Sequence, residues 1–376
     1  VTAIGDEAFY KAAILNKINF SEGLKEIGDK AFSDTALTAA VLPDSLTTLG
    51  ASAFAGCVSL STLKLSSALE KIGDKAFFDC ILLSQVTIPQ GVRAIGANAF
   101  ENCALISEIT LPDTVETVGQ AAFLNCTGLE KVVFAGGGEQ PLSIAGTSSS
   151  NGAFVGCTSL SSVKLPSRLT SIGKYVFYNC SELVSVTFEE DGEGNPVSKL
   201  VTIDNYAFSG AGVWNRTSGV VYVGDWAVGV NGSEMYVTLD AKTRGIADYA
   251  FYGATVLEVN IPQTVEIIGR AAFYNCMFLL EATLPSSIES INDYMFYGCM
   301  FLSSVTIPEG ITEIGRSAFY GCPSLSSIVI PDSVSKISDF AFYGSGLRSV
   351  EIGGGVRELG ENIFSGCVNL QTVTIK

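Results

Sequence analysis

The chain has 376 residues, 47% of them hydrophobic, and a formal charge of −16; an acid balance of that size argues against nucleic acid or an anionic membrane as the main partner. It contains no histidine, which removes the commonest general base and the commonest transition-metal ligand together. No stretch approaches the roughly 18 consecutive apolar residues of a membrane span, so no membrane insertion is expected within this chain.

From the first residues a beat is audible. Phe9 and Phe32 open it, and Phe54, Phe77, Phe100 and Phe123 carry it on, the last four each followed three residues later by cysteine (Cys57, Cys80, Cys103, Cys126). The intervals are 22 or 23 residues, the mark of a repeat array in which each coil needs only its neighbours to bury its apolar face. Around each phenylalanine the positions acquire roles. Four residues earlier stands glycine (Gly28, Gly50, Gly73, Gly96, Gly119) or, in other coils, Ser150, Asp204, Asn292 or Ser338. These are residues favoured at a helix N-cap, so a short helical turn is expected to start there. After the cysteine comes an apolar triplet such as Leu83/Val86/Ile88, spaced like the strand of a leucine-rich repeat. Eight of these strands stop at proline, Pro43 to Pro331, which removes a ladder donor.

Beyond Val133 the beat stretches. Two coils gain eight residues after their strand, at 135–151 and 189–205, and one gains twenty at 211–233. The second insertion carries the acidic run Glu189, Glu190, Asp191, Glu193, which lacks the spacing of a calcium loop. The third holds both tryptophans, Trp214 and Trp226, and reads as a β-hairpin turning at Gly224-Asp225 with Tyr222 in its first strand. Insertions in solenoids map to loops, often on the binding face, so Trp214, Tyr222 and Trp226 are candidate ligand contacts.

The beat then resumes at Phe251 and runs through Phe273, Phe296, Phe319, Phe342 and Phe364. Here the residue after the phenylalanine is Tyr252, Tyr274, Tyr297, Tyr320 and Tyr343 in five successive coils. Rings at coil spacing, about 4.8 Å, would form an aromatic stripe suited to protein or glycan contact, or simply pack on one another. The chain opens inside one repeat and stops after a strand, which reads as part of something longer.

Ten cysteines on one beat invite a metal or disulfide ladder. No C-x-x-C pair exists, parallel side chains in adjacent coils do not face each other, and three coils with a shorter loop replace cysteine by Thr35, Ala254 and Ser345. The thiols therefore read as small buried hydrophobes, with no metal, cofactor or catalytic role. No nucleophile elbow, phosphate loop or carboxylate pair stands out, so an enzyme is not expected.

The pattern I-G-x-x-A-F-x-x-C-x-x-L-x-x-V-x-I-P, repeated some fifteen times, resembles the BspA-like, or Treponema pallidum-type, bacterial leucine-rich repeats. That resemblance implies one mainly β leucine-rich-repeat solenoid over 1–376, with about 15 right-handed coils of 22–23 residues, each with a parallel strand and a short helical turn. It also implies a secreted or cell-surface location and a non-enzymatic recognition or adhesion role. The partner would be a host or microbial surface protein or glycan, met by a monomer. The alternative is a spacer rod presenting other domains of a longer protein.

Overall fold

The computed structural model describes residues 1–190 and 197–376. They form two compact units, Val1–Arg216 and Thr217–Lys376. Each is a parallel β-solenoid almost without helix.

In the first unit one ladder is built from two- to four-residue strands, running from Lys71–Ile72 through Ala94–Ile95, Thr117–Val118, Leu142–Ile144 and Leu169–Ile172 to Thr202–Ile203. A second ladder stacks Glu108–Leu111, Lys131–Phe134, Ser162–Leu165 and Ser185–Phe188. Register advances by one coil: Ile109 pairs Val132, which pairs Val163, which pairs Val186. Alternate residues point in, so Ile109 and Leu111 are buried while Glu108 and Thr110 are exposed. The core is completed by the beat phenylalanines, nine of which stack from Phe9 to Phe208 with ring centroids 5.0–5.7 Å apart. The second unit repeats the design. Its stack runs from Phe251 to Phe364 at 5.1–5.5 Å, and its strands Ser327–Ile330, Ser349–Ile352 and Thr372–Ile375 form one ladder.

The expected helical turn is a pair of tight turns. Around Phe100, Glu101 N–H bonds Asn98 C=O at 3.2 Å and Cys103 N–H bonds Phe100 C=O at 3.1 Å. The alternate donors Asn98, Phe100 and Asn102 instead reach the next coil at Gln120, Ala122 and Leu124, each at 2.8 Å. Asn98 and Asn102 have φ of 57° and 62°, a left-handed conformation that asparagine tolerates better than most residues. An α-helix about 10 Å across does not fit between coils stacked at about 4.8 Å. The glycine four residues before phenylalanine is therefore no N-cap. A Cβ on Gly119 would lie 2.7 Å from Ala97 N and Gly96 C in the coil beneath, so the position is set by close backbone approach.

All ten cysteines are buried and unpaired. The ten thiols are less idle than plain hydrophobes, each donating to the phenylalanine carbonyl one coil earlier: Cys103 Sγ to Phe77 O at 3.2 Å, Cys322 Sγ to Phe296 O at 3.1 Å. Two of the shorter-loop coils put a hydroxyl in the same column, Thr35 beside Cys57 at 3.3 Å and Ser345 beside Cys367 at 3.2 Å.

Candidate functional site

The tyrosines after the beat phenylalanine are fixed by the same turn. The carbonyl of Tyr297 accepts from Asn275 N–H at 2.7 Å and that of Tyr343 from Gly321 N–H at 2.8 Å, and Tyr274 and Tyr320 likewise ride on a coil-to-coil bond. In the second unit the five rings stack in order: Tyr252–Tyr274 at 5.6 Å, Tyr274–Tyr297 at 4.6 Å, Tyr297–Tyr320 at 4.7 Å and Tyr320–Tyr343 at 4.8 Å. The last three pairs are within 11° of parallel. Each interior ring has both faces covered, and what remains half-exposed is the edge with its hydroxyl. Burial, then the neighbouring phenols, pushes the pKa of Tyr274 and Tyr320 up. Both effects favour the neutral phenol at these two positions, and the hydroxyls of the ladder form a row of groups that can both donate and accept.

Beside it runs a second row that the sequence reading missed. Two residues before the phenylalanine stand Tyr249, Tyr294 and Phe340 in alternate coils, and three before it, in the intervening coils, Arg270 and Arg316. Each arginine lies over the aromatic ring of the following coil, Arg270 over Tyr294 at 4.9 Å and Arg316 over Phe340 at 5.5 Å. Tyr294 tilts against Tyr297 at 6.1 Å and Phe340 against Tyr343 at 5.9 Å, which joins the two rows. In the alternate coils the residue three before phenylalanine is Asp248, Asp293 or Asp339, and each carboxylate accepts the backbone N–H of the next coil: Arg270 at 2.8 Å, Arg316 at 2.7 Å, Glu361 at 2.8 Å. The readable signal was a two-coil alternation, aspartate with an aromatic residue and then arginine with a small one, hidden under the one-coil beat.

The arginine side borders an open cavity of about 500 Å³ lined by Asp293, Glu313, Arg316, Lys336, Asp339 and Glu358. Lys336 binds Glu313 at 2.8 Å and Arg316 lies 3.6 Å from Asp339. The lysine hydrogen bond is the chief cause holding the Glu313 carboxyl below its usual range. The arrangement is a hydrogen-bonding, cation-decorated ridge beside a polar trough.

The insertion residues fare differently. Gly219–Val223 and Trp226–Asn231 form an antiparallel hairpin, but its second strand joins the short-strand ladder in parallel, Trp226 opposite Gly245 and Ala227 opposite Ile246. This corrects the expectation for Trp226. The indole is fully buried, its face on Gly245, where a Cβ would sit 2.4 Å from ring atom Cδ2. It is a core side chain. Tyr222 is half-buried and its hydroxyl accepts from Asp240 N–H at 2.9 Å. Trp214 lies in the first unit, half-buried on the short helix Gly212–Asn215. In the insertion 135–151, Leu142–Ile144 enters the ladder beside Thr117–Val118, and buried Arg168 donates to the carbonyls of Val115, Pro112 and Gln140. In the acidic insertion Asp191 and Glu193 lie outside the described residues, and Glu189 accepts from Ser167 N–H at 2.8 Å.

Among the described residues no cluster of three or more cysteines and carboxylates could hold a metal, and no helix is long and apolar enough to cross a membrane.

Comparison with known proteins gives one family. The BspA type leucine rich repeat region matches in six copies over residues 1–136, 146–215 and 243–371. No curated protein matches. Among solved structures, a leucine-rich repeat protein from Bacteroides ovatus is 26% identical over 99% of this chain and 82% of its own, with a TM-score of 0.45. A leucine rich cell surface protein from Faecalibacterium prausnitzii is also 26% identical, covering 100% and 88%, at 0.40. The leucine rich repeat protein of T. pallidum is 21% identical over 64% and 77%, at 0.25.

Proposed function

The chain belongs to the BspA-type leucine-rich repeat family, and from that premise we propose that it is a non-enzymatic recognition module, secreted or held at a bacterial surface, that binds another protein through the aromatic ridge of its second unit. The observation that carries the reading is the ladder Tyr252–Tyr274–Tyr297–Tyr320–Tyr343 with its arginine-capped companion row. Tyrosine and arginine are the residue types that dominate interface hot spots. Here both are pre-organised by stacking, so little side-chain entropy is lost on binding. A glycan fits less well, because sugars are commonly held against an open ring face and the interior faces of this ladder are covered. Of the remaining candidates, Trp214 and Tyr222 supply at most secondary contacts, and the reading does not depend on them.

The test is a binding screen against immobilised matrix and cell-surface proteins, with a glycan array run beside it. It compares the intact chain with Tyr274→Ser/Tyr297→Ser/Tyr320→Ser, after circular dichroism has shown that the variant keeps its fold. Binding that weakens at least about tenfold in the triple variant supports the ridge. Equal binding by both forms moves recognition elsewhere, and no binding by either leaves the chain a spacer rod for other domains.

A further inference from the structure

The second unit carries an exposed apolar surface that the repeat does not require. In most cysteine-bearing coils of both units the residue that opens the strand is a serine: Ser61, Ser84, Ser107, Ser161, Ser303, Ser326. In three successive coils here it is Met235, Leu257 and Leu280. Their register is fixed by Leu257 N–H to Met235 O at 2.6 Å and Leu280 N–H to Leu257 O at 3.0 Å. The preceding loops add Met277-Phe278 and Met300-Phe301, tied by Phe301 N–H to Met277 O at 3.1 Å and by ring stacking of Phe278 on Phe301 at 6.1 Å. Three of the chain's four methionines thus stand in the open, 45–52% exposed, with Phe278 at 48% and Phe301 at 53%.

With Tyr236 and Leu280, seven side chains have about half their surface in water. At roughly 200 Å² for a whole large side chain that is on the order of 600–700 Å² of apolar area. The largest patch on an ordinary monomer is about 300–600 Å², and a standard interface buries about 800 Å² per partner. The patch is large enough to be the centre of an interface. Flexible methionines among aromatic rings suit it to a partner whose side chains vary.

The border says which partner. Glu234 precedes Met235, Glu258 pairs with Tyr236, and Glu281 follows Leu280. None of the three carboxylates is in an ion pair among the described residues. A second copy of this chain would set these carboxylates against their own kind, on molecules that each carry −16, and like charges across an interface cost affinity. An anionic lipid surface is repelled in the same way. We infer that the Met235–Phe301 surface docks a polypeptide segment whose apolar side chains are flanked by lysine or arginine. The inference deepens the recognition reading, on which it rests, but uses different residues from the tyrosine ladder.

The probe is a short, fluorescently labelled amphipathic peptide of leucine and lysine, with a leucine–glutamate peptide of the same pattern as its counterpart. Fluorescence anisotropy at low salt is expected to show micromolar binding of the lysine peptide only, weakening with salt. Met277→Ser/Phe278→Ser/Met300→Ser/Phe301→Ser should lower affinity about tenfold or more, and Glu258→Gln/Glu281→Gln about threefold. Ile81→Ser/Leu82→Ser, in the smaller exposed cluster of the first unit, should leave it unchanged, as should the tyrosine-ladder triple variant. Equal binding by the wild type and the quadruple variant, capture of the glutamate peptide, self-association in sedimentation, uptake by anionic vesicles, or no binding would each overturn the proposal. Any of these together with a binding loss in the tyrosine variant would leave the recognition reading standing.

Discussion

Replacing Gly119 by alanine separates two accounts of the same repeat position. If the residue were a helix N-cap, alanine would cost a few tenths to about 1 kcal/mol, and the reverse change Ala247→Gly would stabilise, since glycine caps better than alanine. The structure gives another result. A methyl on Gly119 would meet Ala97 N at 2.7 Å, Gly96 C at 2.7 Å and Gly96 O at 2.9 Å, all backbone, where ordinary contact starts near 3.4 Å. The coils would have to part by about 0.7 Å. Overpacking of this kind costs about 1–3 kcal/mol, and the parting stretches the Gly119 N–H to Ile95 O bond, now 2.9 Å, for about 1 kcal/mol more. We expect Gly119→Ala to destabilise by about 3 kcal/mol. Ala247 is buried where its coil follows the hairpin strand, its N–H bonding Ala227 O at 2.9 Å. Ala247→Gly should therefore destabilise by about 0.5–1 kcal/mol through the unfolded chain's added freedom. Urea unfolding of both variants, followed by circular dichroism, reads the two numbers. A cost below about 1 kcal/mol for Gly119→Ala, or a stabilising Ala247→Gly, would refute the close-approach argument.

Alkaline pH should unfold the protein through its thiols. Burial pushes Cys103, Cys276 and Cys322 up to about 12 from 9.0. Their protonated form is the native one, so their contribution is complete below pH 9 and is lost as pH rises toward 12. Stability should fall by about 1.4 kcal/mol per pH unit for each such thiol between those limits. Cys103→Ala should flatten the slope of urea midpoint against pH, and an unchanged slope would contradict the assignment. Arg168→Met should cost about 2–4 kcal/mol by stripping charged donors from three carbonyls. It should also speed amide exchange in Leu142–Ile144 above all other strands of its unit, and uniform protection would show that the arginine clamps nothing. For the stacked phenols, Tyr297→Ala should cost about 1–3 kcal/mol, since it removes two stacked neighbours at 4.6 and 4.7 Å and the tilted Tyr294 at 6.1 Å. Tyr252→Ala, at the ladder's end with a single stacked neighbour at 5.6 Å and a tilted one, Tyr249, at 5.9 Å, should cost less in the same unfolding assay.

What could be read in advance followed from periodicity. The beat of phenylalanine and the Leu-x-x-Val-x-Ile triplet locate the core and the ladder, because inward apolar positions repeat once per coil. The helical turn was misread at Gly96 and Gly119: glycine, serine and asparagine serve both a helix cap and a left-handed or crowded backbone, and only the coil height decides between them. Trp226 was misread because a tryptophan in an insertion looks like a surface anchor. Nothing local shows that the second hairpin strand enters the ladder opposite Gly245, although that glycine is the space the indole needs. Arg270 and Arg316 were passed over because alignment on the phenylalanine averages two kinds of coil into one.

That alternation has a bearing on how such a chain can change length. An aspartate coil closes onto the next through its carboxylate, and an arginine coil lays its side chain over the following ring. Removing one coil would set two of a kind side by side, an arginine with no ring to cover or a carboxylate beside its own likeness. Removing two would restore the rhythm. The unit of gain and loss in this half of the molecule is the pair of coils, the 45 or 46 residues separating Tyr249, Tyr294 and Phe340, and lineages descended from a chain like this should differ in steps of that size.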